Sequence, residues 1–402
     1  MLELYEELVV DILLRLPVKS LLRFRCVSKF WRDLIDSKYF IDMHRQQSIN
    51  SNTNFHMMFQ ISSNQLCSCS EYFDNDGLKR SLTKIDIPMS RQTIGSRTQC
   101  FCTEIIGCCN GLLCTQFLDF DYALWNPFTR RYNKLPQAPK LEFDLLKNSK
   151  PFEGFGYDHV HDVYKVLRIF QIFYPDDFNR KNSIIRNQIC VYSLRLNSWK
   201  YIEDYPYGDH NYEFQYNHNR GCFVNGASHW LAYPLILNEN GFRVQGLEWS
   251  IVAFNFEVEK FSTIPHPNAN RNGKSFQIDN LGGFLCIFEE VCETCYVWVM
   301  KQYGVGESWI KLLSLDLHSF KLEYPIADPD RYVQPVAYYS KNGEKLLMKT
   351  NFNTLTWYNL KEATSNIIRF PIKMGSYNAY MCLESLVLPY NVDDKEIAAQ
   401  IQ

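Results

Sequence analysis

Apolar residues in the first 45 positions recur at helical spacing. Leu4, Leu8, Ile12 and Leu16 stand four apart, and Val9 and Leu13 widen the stripe, which predicts an amphipathic helix over residues 3–16 that Pro17 ends. Ser20 is placed to cap a second helical stretch, in which Phe24, Val27, Trp31 and Leu34 return at steps of three, four and three. The expected unit is a small all-α hairpin or three-helix domain over residues 1–45. A segment of about 40 residues encloses too little interior to bury Leu8, Ile12, Leu13, Leu16, Leu21, Leu22, Phe24, Val27, Trp31 and Ile35 together, so part of that surface is expected to meet a partner.

From about Phe55 the pattern changes to short alternating or wholly apolar runs, rich in aromatic residues and separated by Gly, Asn, Asp and Pro, as in all-β proteins. A unit repeats: an apolar strand ending in Asn or Ser, a short turn, then an aromatic and an aliphatic residue. Leu124-Trp125-Asn126 leads to Tyr132 and Leu135, Val191-Tyr192-Ser193 to Trp199 and Ile202, and Ala253-Phe254-Asn255 to Phe261 and Ile264. In all three the step from Asn or Ser to the aromatic is six residues. Two copies with longer turns follow, Trp298-Val299-Met300 with Trp309 and Leu312, and Trp357-Tyr358-Asn359 with Phe370-Pro371.

Each copy has an apolar strand upstream. The middle residues, at 125, 191, 253, 299 and 357, stand 66, 62, 46 and 58 residues apart, the length of a four-stranded propeller blade plus a variable connection. Residues 55–88 read as a further blade that Tyr380–Pro389 can complete, giving an all-β propeller of six blades over residues 55–390. Residues 46–54 are then a linker and 391–402 a tail. A two-sheet sandwich is the competing architecture, against which the regular copies argue.

Composition adds mainly exclusions. With 42 basic and 44 acidic residues the chain carries no global field to draw it to nucleic acid or membrane. The N-terminus is acidic where a secretory signal is basic, and no uncharged apolar run approaches the roughly 20 residues needed to span a bilayer. Fourteen cysteines diluted through 402 residues, without an Asn-x-Ser/Thr acceptor, fit reduced thiols in the cytoplasm or nucleus. Cys67-x-Cys69, Cys100-x-Cys102, Cys108-Cys109 and Cys292-x-x-Cys295 are candidate zinc pairs, but only the last has ligand-pair spacing and it lacks a second pair at the expected distance. No metal or cofactor is expected.

The run Ile12-Leu13-Leu14-Arg15-Leu16-Pro17-Val18-Lys19-Ser20-Leu21-Leu22-Arg23-Phe24-Arg25-Cys26-Val27-Ser28-Lys29, followed by Trp31 and Leu34-Ile35, closely resembles the plant F-box. Cys109-Asn110-Gly111-Leu112-Leu113-Cys114, Leu124-Trp125-Asn126-Pro127, Gly154-Phe155-Gly156-Tyr157-Asp158 and Asn197-Ser198-Trp199 resemble the F-box-associated, kelch-like domain of the same plant families, S-locus F-box proteins of pollen included. The resemblance implies a non-catalytic substrate-recognition subunit of an SCF (Skp-cullin-F-box) ubiquitin ligase. Its partners would be a Skp-type adaptor, through it a cullin and a RING subunit, and a target protein, a ribonuclease if the chain is of the S-locus type. It also implies that Leu8, Ile12, Leu13, Leu16, Pro17, Leu21, Val27 and Trp31 shape or line the adaptor-facing surface. One position departs from the pattern: members carry Leu-Pro where this chain has Leu4-Tyr5, which motivates the alternative of a non-proteolytic scaffold with weak adaptor binding.

Between Arg15 and Arg32 lie six basic residues and no acidic one, suited to an acidic protein partner; nucleic-acid binding is the alternative, and it lacks a base-reading element. Gly273-Lys274-Ser275 ends like a phosphate-binding loop, but position 268 is Asn where that loop needs Gly. Asp158-His159-Val160-His161-Asp162 reads as a polar turn between strands, with metal binding as the alternative, and the chain has no Gly-x-Ser-x-Gly elbow or His-Glu-x-x-His helix. A propeller hydrolase with a site in its channel is the enzyme-class alternative. Target binding is expected on two aromatic loops, residues 172–188 and 203–219, with Tyr174, Tyr205, Tyr207, Tyr212, Phe214 and Tyr216 as candidate contacts; the same rings could instead cap blades.

Overall fold

A computed structural model describes residues 2–51, 53–62, 65–69, 82–88, 91–94, 97–100, 104–117, 121–139, 151–175, 183–202, 212–214, 219–237, 243–245, 249–267, 275–291, 294–316, 334–339, 345–351, 354–362, 364–369 and 379–390. The chain divides into two compact units, one of residues 1–137 with 370–402 and one of residues 138–369.

The first unit opens with α1 (Leu2–Leu14), α2 (Val18–Phe24), α3 (Lys29–Asp36) and α4 (Lys38–Ser51). The helix expected to reach residue 16 stops at Leu14, where two N–H groups fold back by three residues, Arg15 to Ile12 and Leu16 to Leu13. Ser20, expected as a cap, lies inside α2. Pro17 occupies the cap instead, its ring holding φ at −62° while its carbonyl accepts from the N–H of Ser20 and Leu21. The working serine cap is Ser28, whose Oγ accepts from the N–H of Trp31 at 3.1 Å to start α3. Residues 46–51, expected as linker, continue α4. No helix among the described residues is long and apolar enough to cross a membrane.

This unit also holds two four-stranded antiparallel sheets and the two-stranded pair of Arg91–Ile94 with Arg97–Cys100. The first joins Phe55–Ser62, Gln65–Cys69 and Leu82–Asp86 to the last described strand, Ala379–Leu383, which pairs with Phe55–Phe59, so the late segment supplies the fourth strand. The second runs through Glu104–Cys109, Leu112–Gln116, Tyr122–Asn126 and Arg131–Lys134. Met58, Leu66, Ile105, Leu113, Trp125 and Cys382 form the apolar layer between them.

The second unit holds four more sheets, so among the described residues the sheets of four or more strands number six, the blades of a six-bladed propeller. Blade 3 runs through Phe152–Asp158, Val163–Pro175, Ser183–Ser193 and Ser198–Ile202. Blade 4 is built on Tyr212–Phe214, Ala227–Leu237, Ser250–Asn255 and Lys260–Ile264, with Cys222–Val224 and Arg243–Gln245 also paired to its long strand. Blade 5 runs from Ser275 to Asp316 and blade 6 from Gln334 to Arg369, each as four consecutive strands. The apolar layers lie between neighbouring sheets; Phe152, Leu167, Trp230 and Phe254 join blades 3 and 4. The first strand of blade 3 approaches blade 4 so closely that a Cβ on Gly156 would stand 2.3 Å from the Phe223 ring, which is why Gly alternates with aromatic residues along Gly154-Phe155-Gly156-Tyr157.

One local device produces the sequence repeat. Asn126, Asn255 and Asn359 each end a third strand, and each Oδ1 accepts from the backbone N–H groups two and three residues on, at 2.8–3.2 Å. Arg130, Asn197 and Glu259, each four residues past its strand end, take the left-handed conformation that reverses the chain, and the fourth strand begins one residue later. Blade 6 keeps this length, Asn359 to Thr364, although a longer turn was expected there: Ser365 stands where the other copies have an aromatic ring. Two-residue loops with both φ positive, the geometry that matches strand twist, join Cys109 to Leu112 through Asn110-Gly111, Val224 to Ala227 through Asn225-Gly226 and Leu281 to Phe284 through Gly282-Gly283.

Candidate partner-docking surfaces

The helices fold around Leu13, Leu14, Val18, Leu21, Ile35 and Phe40, all buried, with Val9, Val10, Leu16, Trp31 and Leu34 half-buried against them. The ring of Trp31 meets Phe24 edge-on at 5.4 Å. His44 donates through Nε2 to the Leu16 carbonyl at 2.9 Å, tying α4 to the end of α1, and burial pushes its pKa down.

What this core leaves outside is apolar. Leu8 and Ile12, one turn apart on α1, are 57% and 59% exposed, Val27 is 62% exposed and Phe30 53%. Pro17 is exposed beside them in sequence. The expected adaptor set therefore divides: Leu8, Ile12, Pro17 and Val27 present surface, Leu16 and Trp31 are half-buried, and Leu13 and Leu21 lie inside at 1% and 0% exposure, where they support the surface from behind. Phe30 is an exposed ring outside the stripe of Phe24, Val27, Trp31 and Leu34, and its signal is its own helical spacing, three residues after Val27 and four before Leu34.

Of the basic residues here, Arg15 pairs with Asp11 at 3.0 Å and Arg25 with Asp36 at 2.6 Å, the second tying the end of α2 to α3. Arg25, Lys29 and Arg32, with Leu22, Cys26 and Ser28, line a concavity of about 390 Å³ between α2 and α3. The helical surface is thus apolar patches edged by positive charge.

The candidate target contacts fall elsewhere. In blade 3 the second and third strands outrun their neighbours: beyond Ile169 and Ile189, six further pairs, from Phe170 with Gln188 to Pro175 with Ser183, make a two-stranded ribbon about 20 Å long. Tyr174 lies on that ribbon. Strand alternation puts Pro175, Ser183 and Ile202 at one edge of the blade, so the two aromatic stretches leave blade 3 from the same side. Tyr212 and Phe214, expected in a loop, form a strand paired with Ala232–Pro234. Phe214 is a core residue, 1% exposed and packed 4.9 Å from Phe152 and 5.9 Å from Trp230, so it has no surface to offer a target. Tyr205, Tyr207 and Tyr216 lie outside the described residues, as do Gly273, Lys274, Cys102 and Cys292.

The polar turn of blade 3 is filled from within. Asp158 Oδ1 accepts from the N–H of Val160 and His161, and its Oδ2 from Lys165 and His161 at 2.9 and 2.8 Å. Lys165, only 6% exposed, also donates to the Phe256 carbonyl at 2.6 Å and to Glu259 at 2.9 Å, and Glu259 in turn meets Lys200 at 2.5 Å. Burial opposes ionisation of Asp158, yet the His161 N–H and the Lys165 ammonium outweigh it and hold the carboxyl below its ordinary pKa. This network joins blades 3 and 4. Among the described residues no group of His, Cys, Asp and Glu is arranged to hold a metal ion.

Comparison with known proteins follows this division. The model of the F-box domain matches residues 1–42, and that of the F-box associated beta propeller domain matches residues 56–385. F-box protein CPR1 of Arabidopsis thaliana is 30% identical over 400 residues, covering 95% of this chain and 88% of its own. F-box protein At4g22390 of the same plant is 25% identical over 95% of this chain and 89% of its own. The F-box/kelch-repeat protein At3g23880, also from that plant, is 26% identical over 77% and 78%.

Proposed function

The chain belongs to the F-box proteins that carry an F-box associated β-propeller domain, and from that membership we propose that it is the substrate-recognition subunit of a Skp-cullin-F-box ubiquitin ligase. The observation that carries the proposal is the helical surface: Leu8, Ile12, Val27 and Phe30 stand outside a core that is complete without them. Covering an aliphatic or aromatic side chain stabilises a contact by roughly 1.5–3 kcal/mol, so four such residues make an anchor of useful affinity. A Skp-type adaptor binds there, with Leu16, Pro17 and Trp31 at the margin and Leu13 and Leu21 fixing the backbone behind. Arg25, Lys29 and Arg32 favour an adaptor with an acidic facing surface and speed its encounter.

Cullin and RING subunit join through the adaptor, in the cytoplasm or nucleus. The chain itself performs no chemistry: it holds a target lysine near a conjugating enzyme, so that an encounter between two proteins becomes a reaction within one assembly. The target docks at the edge from which the blade 3 ribbon and the connection into blade 4 emerge, with Tyr174, Tyr205, Tyr207, Tyr212 and Tyr216 as its contacts.

The test is co-purification of the full chain with a plant Skp-type adaptor and cullin, beside a Leu8→Asp, Ile12→Asp variant. Binding by the native chain and its loss in a variant that melts normally is the expected result. Failure of the native chain to bind would overturn the proposal and favour an interaction scaffold, with Tyr5 the first position to restore to Pro.

A further inference from the structure

The sequence places the F-box and the chain's last strand at opposite ends, yet the first unit brings them together. Past Leu383 the described residues 384–390 form no helix or strand, and this short strap is nevertheless held at Glu384, Ser385, Leu386, Val387 and Pro389. Leu386, 5% exposed, is a member of the helical core itself, packed among Leu13, Val18 and Phe40. Glu384 accepts from the Lys19 N–H at the start of α2 at 3.4 Å, its other oxygen stands 3.1 Å from His56 Nε2, and its own N–H donates to the Asn54 carbonyl at 2.7 Å.

The opposite side of the strap is fastened to the second sheet. Asn126, wholly buried, donates through Nδ2 to the carbonyls of Ser385 and Val387 at 2.9 and 2.8 Å while its Oδ1 shapes its own turn. Ser385 Oγ donates to the Asn110 carbonyl at 2.7 Å, and Asn133 reaches the Pro389 carbonyl at 3.2 Å. At Gly111, where φ is +85°, an added Cβ would stand 2.3 Å from Ser385 Oγ and 2.4 Å from the Leu383 carbonyl, so the strap lies against bare backbone. The junction between α4 and the first strand is tied to the same place: Asn54 Nδ2 bonds Ser48 Oγ at 2.9 Å and the Thr53 N–H bonds the Ser48 carbonyl at 3.0 Å.

We infer that Leu383–Tyr390 is the seat on which the F-box is assembled: the F-box lacks a complete core without Leu386, and the strap reaches its place only after the last strand has paired with the first sheet. Adaptor competence is thereby made conditional on completion of the first sheet by Ala379–Leu383, and a chain interrupted before residue 383 has an unseated F-box. The long reach also fixes the F-box on the first two blades, in place of a flexible tether at 46–54. The consequence for adaptor binding rests on the proposed function, whereas the seating of the F-box concerns the chain alone and is what the exchange experiment reads.

Amide hydrogen exchange on the full chain tests it. Leu386→Ala should raise exchange of α1–α4 amides at least tenfold, and Glu384→Gln, which keeps the volume and removes the charge, should raise it severalfold. A matched core deletion in blade 5, Val297→Ala, should leave the helices unchanged. Helical exchange unmoved by Leu386→Ala, or moved equally by Val297→Ala, overturns the inference. If Leu386→Ala does not yield folded protein, Leu386→Val carries the same comparison, with a threefold rise expected and no rise overturning it.

Discussion

The F-box and the interior of blades 3 and 4 sort their residues in opposite ways. The helices leave Leu8, Ile12, Val27 and Phe30 in solvent, whereas the blades take Lys165 to 6% exposure and surround its ammonium with Asp158, Glu259 and the Phe256 carbonyl. Hydrophobicity alone predicts neither. An apolar residue stays out when its own domain is too small to cover it, and a charge goes in when blades on both sides supply its partners. The first case leaves apolar surface of the kind the proposed docking uses, and the second shows an interface already filled by the chain itself.

The largest expected break in this contrast is Lys165→Met. It strands Asp158 and Glu259 as carboxylates without their buried counter-charge and should cost about 3–5 kcal/mol in urea unfolding, most of it recovered when both are also made amides. His229 is the next. It is fully buried between the Cys222 carbonyl and Tyr303 Oη, and burial pushes its pKa down to about 4. Because the folded value lies below the free one of about 6.5, its contribution is complete above that pH and drains away as pH falls toward 4, a loss of roughly 3 kcal/mol. His229→Gln should flatten that part of the stability profile. Asp158 and Glu259, both held below their ordinary values, add a further loss at lower pH, as their folded-state carboxyls become protonated.

Smaller effects sharpen the comparison. Asn359→Ala removes two side-chain acceptor bonds from an exposed turn and should cost about 1 kcal/mol in thermal or urea unfolding. At the bottom of the scale, Leu8→Asp with Ile12→Asp should change unfolding by no more than about 0.5 kcal/mol each, since neither belongs to the core, while it abolishes adaptor capture. A large loss of stability from that pair would place them in the chain's own interior after all.

How far the sequence could be read depended on how local the cause was. The turn repeat was visible because a few consecutive residues set it, through the Asn side chain at 126, 255 and 359 and the left-handed residue at 130, 197 and 259; the copy at Asn359 looked longer only because Ser365 replaces the ring that marked the others. The spacing of Leu4, Leu8, Ile12 and Leu16 identified α1, but it could not say which apolar stripe faces inward, and Leu13 and Leu14 took that role while Leu8 and Ile12 faced out. Phe214 read as a loop ring because a three-residue strand has no period of its own; only Ala232–Pro234 across from it makes it one.

By itself, then, the sequence determined what depends on neighbours along the chain: the helical start, the blade repeat, the turns and the surplus of apolar residues in the F-box. Tertiary structure decided what depends on neighbours in space: which residues of that surplus remain outside, which carboxylates receive Lys165, and that Leu386 completes a core begun at Leu13. The reason is physical. Turn geometry and periodicity are properties of a few consecutive dihedrals, whereas burial and charge pairing are properties of distances that no local dihedral fixes until the sheets have closed.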